Sequence, residues 1–551
     1  MDLNRRQFHG LALASLAAAI ARPAVSAAPS PARLTLNRLT FGATAATVED
    51  FDRQGKRDWL DAQLAMPATD DALAARLAAA TLRIEYEAGN DGPGKDWAAR
   101  AEDLPYQYLD AAGERLLPLL DYEIGMNYEE RIRPAREVQA AALIRAVHTG
   151  AQLREVLTQF WHDHFNVNAL KDEHTAAYFA AYDRGIRAHA LGNFRALLGE
   201  VARSPSMLFY LNNEASRASP ANENYGRELL ELHTLGAENY FNDLYDDWKS
   251  VPGATEGLAS GYIDADVYEV ARAFTGWSFG DGRWIAEGDT APASGEFFYI
   301  DAWHDPYQKR VLGAEFHANR GPMEDGESVL DLLARHPGTA RFISRKLIRR
   351  LLTDEPSEAL IATAAQTFLD AADAPDQIAQ VVRAIVMSDA FEATPPRKLK
   401  RPFEFLASFY RASGLEVTAP TLDYTWQLAQ AGWTQHEVRP PTGHPDDSQH
   451  WANTNTLNGL VNIALYAHES WWGAGTLDLR VAPADVSTWG SLMSHWQRKL
   501  AAMDPEADMT AFLAAAEIDP NWELSDNPDE LAWINGSALG VAALRPEFLF
   551  R

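Results

Sequence analysis

Apolar side chains recur at i, i+3 and i+4 through most of this chain, a spacing that lines one face of a helix and does not suit a strand. The pattern runs over residues 136–165, 186–204, 223–235, 266–276, 338–352, 357–371 and 375–388, with Gly or Pro between several of the segments. The expected fold is therefore mainly α, a multi-helix globular body. Between Gly280 and Gly321 the period changes: Trp284, Ile285, Phe297, Phe298, Tyr299, Val311 and Leu312 sit in short runs punctuated by Gly, Asp and Pro. A small inserted β-ribbon near residues 280–320 is expected there. Residues 90–104 and 439–455 read as long surface loops.

The first residues place Arg5 and Arg6 before Gln7 and Phe8, then a soft Ala/Leu stretch, then small residues up to Ala27. This order of charged, apolar and small segments is that of a cleavable export signal, and the paired arginines resemble the twin-arginine type. The apolar stretch is shorter than the roughly 20 residues that span a bilayer. Residues 1–27 are thus read as a signal peptide, 28–410 as a helical core and 411–551 as a tryptophan-rich helical part packed on it. The expected location is periplasmic or secreted, with the twin-arginine machinery as a partner and no stable membrane anchor after cleavage. Nine of the sixteen tryptophans lie between Trp426 and Trp533. Burial in a distinct aromatic core and the lining of a groove are the two readings of that crowding, and the first is favoured because Trp is highly buried on average.

The chain has no cysteine, which excludes disulfides, thiolate metal sites and iron–sulfur clusters. A divalent metal would have to be held by His, Asp, Glu or Asn. The net charge of −28 argues against nucleic acid as a partner.

Several short polar motifs carry the candidate chemistry. Phe160-Trp161-His162-Asp163-His164 holds two histidines and a carboxylate, but His162 and His164 leave a regular helix in different directions and cannot easily grip one ion. Either the helix ends here or His164 is a hydrogen-bonded core histidine. In Glu223 to Gly236, Asn224, Arg227, Glu228 and Glu231 form one polar stripe, either a solvated face with i, i+4 ion pairs or one wall of a site. His233 points away from it, and Gly236 is placed to end the helix. Gly276-Trp277-Ser278-Phe279-Gly280 has the form of a nucleophile elbow but follows a helix, with a loop expected after it, so that reading fails. His304-Asp305 ahead of Lys309 suits a base or a metal ligand. His336-Pro337 opens a helix with Arg341, Arg345, Lys346, Arg349 and Arg350. That basic helix either pairs with acidic neighbours or, with Lys398, Lys400 and Arg401, forms a pocket for an anion.

In order and spacing these segments resemble the bacterial domain of unknown function 1800 family, an exported, helix-rich family. The matching pieces run from Leu36-Asn37-Arg38-Leu39-Thr40-Phe41-Gly42 through the motifs above to Lys400-Arg401-Pro402-Phe403-Glu404. One departure is Tyr307-Gln308, where the family often has a glycine shortly before the lysine. The resemblance groups scattered residues into one expected cleft. His162, His164, Asn224, Arg227, Glu228, His304 and Asp305 are the candidate catalytic groups, with His164 or His304 as general base, Glu228 as the second acid/base or a metal ligand, and Arg227 or Arg341 as the charge stabiliser. Arg341, Lys346 and Trp277 are the candidate substrate contacts. The expected activity is that of a hydrolase or lyase on an extracytoplasmic polymer or envelope component. The alternative is a non-enzymatic binding or assembly factor for a co-exported protein or an envelope polysaccharide.

Overall fold

The computed structural model describes residues 30–418, 421–501, 513 and 518–551; the export signal read at residues 1–27 lies outside them. The described chain is mainly α, with only short two-stranded ribbons. Long helices arise where the apolar period predicts them, with breaks set by local chemistry. The stretch 136–165 is two helices, α1 (Arg133–His148) and α2 (Gln152–His164), because the backbone turns extended at Thr149 and passes through Gly150. Helix α3 (Glu173–His189) starts on Asp172, whose side chain accepts from the Thr175 amide. It packs against both α1 and α2 and against the helices at Phe194–Arg203 and Pro205–Tyr210, which makes it the hub of the core.

Residues Glu223–Glu228 form the α-helix α4, and Leu229–Thr234 continue it as a π-helical turn. Gly236, at φ +88°, ends the run as expected. Helix α5 (Asp264–Ala273) follows, then α6 (Glu324–Ala334) and α7 (Pro337–Leu351). Helix α8 (Pro402–Ser413) closes the middle of the chain. Among the described residues no helix is long and apolar enough to cross a membrane.

The expected ribbon near 280–320 is present. Strands Trp277–Asp281 and Ala293–Tyr299 pair antiparallel with Trp277 opposite Tyr299, and Lys309–Val311 pairs with Ala314–Phe316. It starts directly after α5, so Ser278 lies in a strand where a loop was expected; its hydroxyl donates to the Glu214 carbonyl. The stretch 90–104, read as a surface loop, is instead part of a second ribbon, in which Thr81–Tyr86 pairs with Arg100–Pro105. Its first strand alternates buried Leu82 and Ile84 with exposed Arg83 and Glu85, a period-2 signal overlooked beside the helical one. The second loop reading fares better. Residues 439–453 are irregular apart from the short helix Ser448–Trp451, residues 454 and 455 open the helix Thr454–Tyr466, and the stretch is anchored to the core rather than free.

Trp433, Trp451, Trp471, Trp489 and Trp496 are buried, whereas Trp426 is exposed, so the crowded tryptophans mostly build core. The C-terminal part packs on the helical core through a β-bridge between Leu399 and Phe550 and a hydrogen bond from the Arg33 guanidinium to the Glu547 carbonyl.

Candidate functional site

Helix α2 ends at His164 because Phe165 leaves the helical region, and the loop after Trp433 crosses that end. Two hydrogen bonds from the Asn166 amide, to the carbonyls of Val438 (3.0 Å) and Pro440 (2.8 Å), fix the crossing. Gly443, at φ +67°, sits so close that an added Cβ would lie 2.0 Å from the Asp163 carbonyl oxygen; any other residue would push the loop off the helix. The neighbouring helix α7 is oriented by His336 at its N-terminus, whose Nδ1 accepts from the Gly338 amide while Nε2 donates to the Ala259 carbonyl. Its apolar face, including Ile343, Leu347 and Leu351, is buried, which turns Lys346 and Arg349 toward α2.

Between these elements lies a small pocket of about 150 Å³. Phe160, Asp163 and His164 of α2 form one wall, and Lys346 and Arg349 of α7 the next. Arg401, ahead of α8, and the loop from Thr442 to Asp446 complete it.

Within the pocket the polar groups are ordered by their partners. His164 Nε2 faces the carbonyl of His233 at 3.1 Å, so that nitrogen carries the hydrogen. Nδ1 is then the acceptor, and Lys346 Nζ donates to it at 2.9 Å. Burial, followed by Lys346 and His233, holds the His164 pKa well below its ordinary value, which keeps the ring neutral. Lys346 is itself lowered to about 8, chiefly by burial and with a contribution from Arg349, against the pull of Asp163 and Asp446. A lysine in this range exchanges a proton near neutral pH. Arg401 donates to Asp163 at 2.6 Å and lies over the Trp433 ring. His444 stacks on Trp433 with ring centroids 3.9 Å apart and donates from Nε2 to the Thr434 carbonyl.

Two groups stand apart from this pairing. Arg349 makes no hydrogen bond or ion pair among the described residues, and its Nε is buried. Asp446 directs Oδ1 to Lys398 at 3.1 Å, but its Oδ2 is buried without a hydrogen-bond partner among the described residues. Burial raises the Asp446 pKa, and the surrounding Lys398, Arg350 and Arg401 outweigh that, so the group is a carboxylate.

The expected single cleft divides into separate places. His164 and Lys346 meet in the pocket. His162, two residues away, points instead into a sealed network, where Nε2 lies 3.0 Å from Asp183 Oδ1. Arg187 binds the same carboxylate and Glu155, and Arg145 joins from α1. His304 and Asp305 belong to a second network. The His304 ring nitrogens face the Thr275 carbonyl (2.9 Å) and Asp325 Oδ2 (3.2 Å), while Asp305 is held in a fork by Arg272. Lys309, with a fully buried side chain, donates to Asp325 and to the carbonyls of Asp305 and Tyr307. These partners occupy both nitrogens of His164 and of His304.

The remaining candidates lie elsewhere. Asn224 is exposed and donates to the Leu211 carbonyl, and Arg227 pairs with Asp264 at 3.4 Å. Arg341 is a surface partner of Glu358. Trp277 is fully buried, packed edge-on against Phe274 and Phe297, which places it in the core. Among the described residues no group of three or more His, Asp or Glu is arranged to hold a metal ion.

Glu228 is half-buried beside Glu231, and its side chain forms no hydrogen bond among the described residues; burial first and Glu231 second raise its pKa to about 7. An acid whose folded pKa lies above its unfolded value favours the fold below the unfolded pKa, here 4.5, and loses that contribution as pH rises through about 7. Glu228→Gln is therefore expected to stabilise the protein by about 1 kcal/mol at pH 8, a figure reduced for solvent screening. At pH 4.5 it should change little. Urea midpoints at the two pH values check this, and an equal shift at both would show that the carboxyl's ionisation has no part in it.

Sequence reasoning missed Asp163, Thr442, His444 and Asp446 as pocket residues. Arg349 and Arg401 were visible as basic residues, but nothing local joined them to a loop that lies far from α2 in the chain. A family model described as Protein of unknown function (DUF1800) matches residues 34–550. No curated protein and no solved structure matches the chain.

Proposed function

The chain belongs to the DUF1800 family over nearly its whole length, and from that premise we propose that it is an exported enzyme, a hydrolase or lyase, whose reaction takes place in the Lys346 pocket. The substrate is an anionic polymer or another envelope component beyond the cytoplasmic membrane. Lys346 moves the proton, Arg349 receives the negative group, and His164 is a positioning residue that fixes the Lys346 amine through Nδ1. The observation that carries this reading is the 2.9 Å contact of Lys346 with a neutral histidine at the edge of a pocket holding an arginine without a partner. A neutral Lys346 gives one N–H to Nδ1 and keeps its lone pair for the ligand. Arg349 offers a planar fork suited to carboxylate or phosphate.

The rival role, a non-enzymatic binding or assembly factor for a co-exported protein or a glycan, draws support from the sealed networks at Asp183 and Asp325. Buried charges of that kind set a fold without doing chemistry. One experiment separates the two. Cells carrying the chain with Arg5 and Arg6 intact, or both changed to Lys, are fractionated, and the exported protein is assayed against acidic and neutral envelope polymers. Export that depends on the two arginines and turnover of an acidic polymer are expected. Saturable binding of one polymer without turnover would favour the rival, and export of the lysine variant would remove the twin-arginine reading.

A further inference from the structure

Helix α7 brings two cations to the pocket with no carboxylate opposite either. Arg349 makes no hydrogen bond or ion pair among the described residues. Lys346, three residues earlier and so on the same face of the helix, has the neutral ring of His164 as its hydrogen-bond partner. Both side chains line the pocket. The other charges around them are paired: Arg401 with Asp163, Lys398 with Asp446, Arg350 with Glu404, and Arg345 with Glu238. Burial brings the Lys346 amine down to about 8, which leaves it mostly protonated at neutral pH, so the pocket carries two uncompensated positive charges there.

The wall also holds an acceptor that a ligand can reach. The Asp163 side chain is 18% exposed and spends Oδ2 on Arg401. Its Oδ1 receives only a long contact, 3.4 Å, from the His444 amide. Two cations beside one carboxylate oxygen ask for an anion with two charges that still keeps a hydrogen. Acetate-like carboxylates bring one charge. Sulfate brings two but no hydrogen, so it would meet Asp163 by repulsion. Hydrogenphosphate brings two charges and one hydroxyl, and its oxygens suit the planar fork of an arginine. The volume of about 150 Å³ lies below the roughly 300–1,000 Å³ of sites for larger organic ligands, a size that suits one small tetrahedral anion.

We infer that the pocket binds inorganic hydrogenphosphate, with oxygens on Arg349 and Lys346 and its hydroxyl donating to Asp163. The inference rests on the reading of this pocket as the ligand site and goes beyond the reaction proposed for it. Phosphate takes the protonated form of Lys346 and turnover takes the neutral one, so phosphate is an inhibitor of the polymer reaction. His164 and His233 beside the amine, and His444 in the pocket wall, are held neutral by burial, so Lys346 is the group whose charge changes above neutral pH.

Calorimetric titration of the purified protein with inorganic phosphate, sulfate and acetate at pH 7.5 tests it, in a buffer free of all three. Phosphate should saturate one site, and sulfate and acetate should each bind at least tenfold more weakly. Arg349→Met, which loses no hydrogen-bond or ion-pair partner among the described residues, should weaken phosphate at least tenfold. Asp163→Asn turns the acceptor into a group that can also donate and should bring sulfate within threefold of phosphate. Since Asp163 also holds Arg401, the Arg349 variant and the ranking of the three anions decide the matter if the asparagine variant fails to fold. Between pH 7.5 and 9.5 phosphate affinity should fall at least fivefold as Lys346 loses its proton, whereas Lys346→Arg should keep its affinity over that range. Sulfate or acetate binding as tightly as phosphate, an Arg349 variant that binds like the parent, or no saturable binding would each overturn the inference. Saturable phosphate binding without turnover of any polymer would sink the catalytic reading and leave the phosphate site standing. Turnover of an acidic polymer that phosphate neither inhibits nor accompanies by binding would do the reverse.

Discussion

Lys346→Met is expected to lower kcat/KM on an acidic polymer by about 10²- to 10⁴-fold, the span associated with losing a positioned proton-transfer group. The expectation comes from geometry first: the amine is held at 2.9 Å by a ring whose other nitrogen is fixed on the His233 carbonyl. The pH profile gives the sign. A base must be neutral to act, so activity should rise with pH and level off above about 8, the value to which burial lowers Lys346. Lys346→Arg keeps a cation in the pocket but cannot lose its proton in this range. It should fall as far as the methionine variant and lose the rising limb. If the arginine variant retains activity within tenfold, Lys346 serves as a fixed charge and the proton-transfer role is wrong.

The second large effect concerns the fold. Arg187→Ala should destabilise the protein by about 3–5 kcal/mol, as expected when one partner of a buried ion pair is removed and the other charge stays behind. Here two charges stay behind, since Arg187 binds both Asp183 and Glu155 and all three are buried. Arg145 and His162 still touch Asp183, but the Glu155 carboxylate has no other hydrogen-bond or ion-pair partner among the described residues, and its Oε1 is unsatisfied already. Denaturant unfolding of the two proteins measures the difference. A loss under 1 kcal/mol would mean that water or rearranged side chains take over from Arg187, and the network would not be a dry structural element. Activity per folded molecule should be unchanged, because none of these groups lines the pocket.

How far the site was legible follows from the range of each interaction. The motif around His164 and the basic helix carrying Lys346 were both marked out as candidates, because each packs several polar residues into one helical stretch. That His162 and His164 diverge was also readable, since the direction of side chains two apart is set by the helix itself. What each of them meets was not. His162 finds Asp183 on α3, and His164 finds Lys346 on α7, partners that lie 21 and 182 residues away. Arg341 and Lys346 share one helix and looked alike, yet one ends at the surface and the other in the pocket. Trp277 was named as a candidate substrate contact, but its neighbours enclose it completely.

The helical body, the ribbon after α5, the exclusion of thiolate chemistry and the family were legible in the chain alone, because periodicity, composition and ordered motifs are properties of a chain read in one dimension. Which charges stay paired and which lie unpaired at the pocket emerges on folding. Pairing depends on where the 434–447 loop crosses the end of α2, and that crossing is held by hydrogen bonds over more than 270 residues of chain, among them the bonds from Asn166 to Val438 and Pro440. Electrostatic interactions between side chains fall off within several ångströms, so their partners are set by folded distance and not by sequence separation.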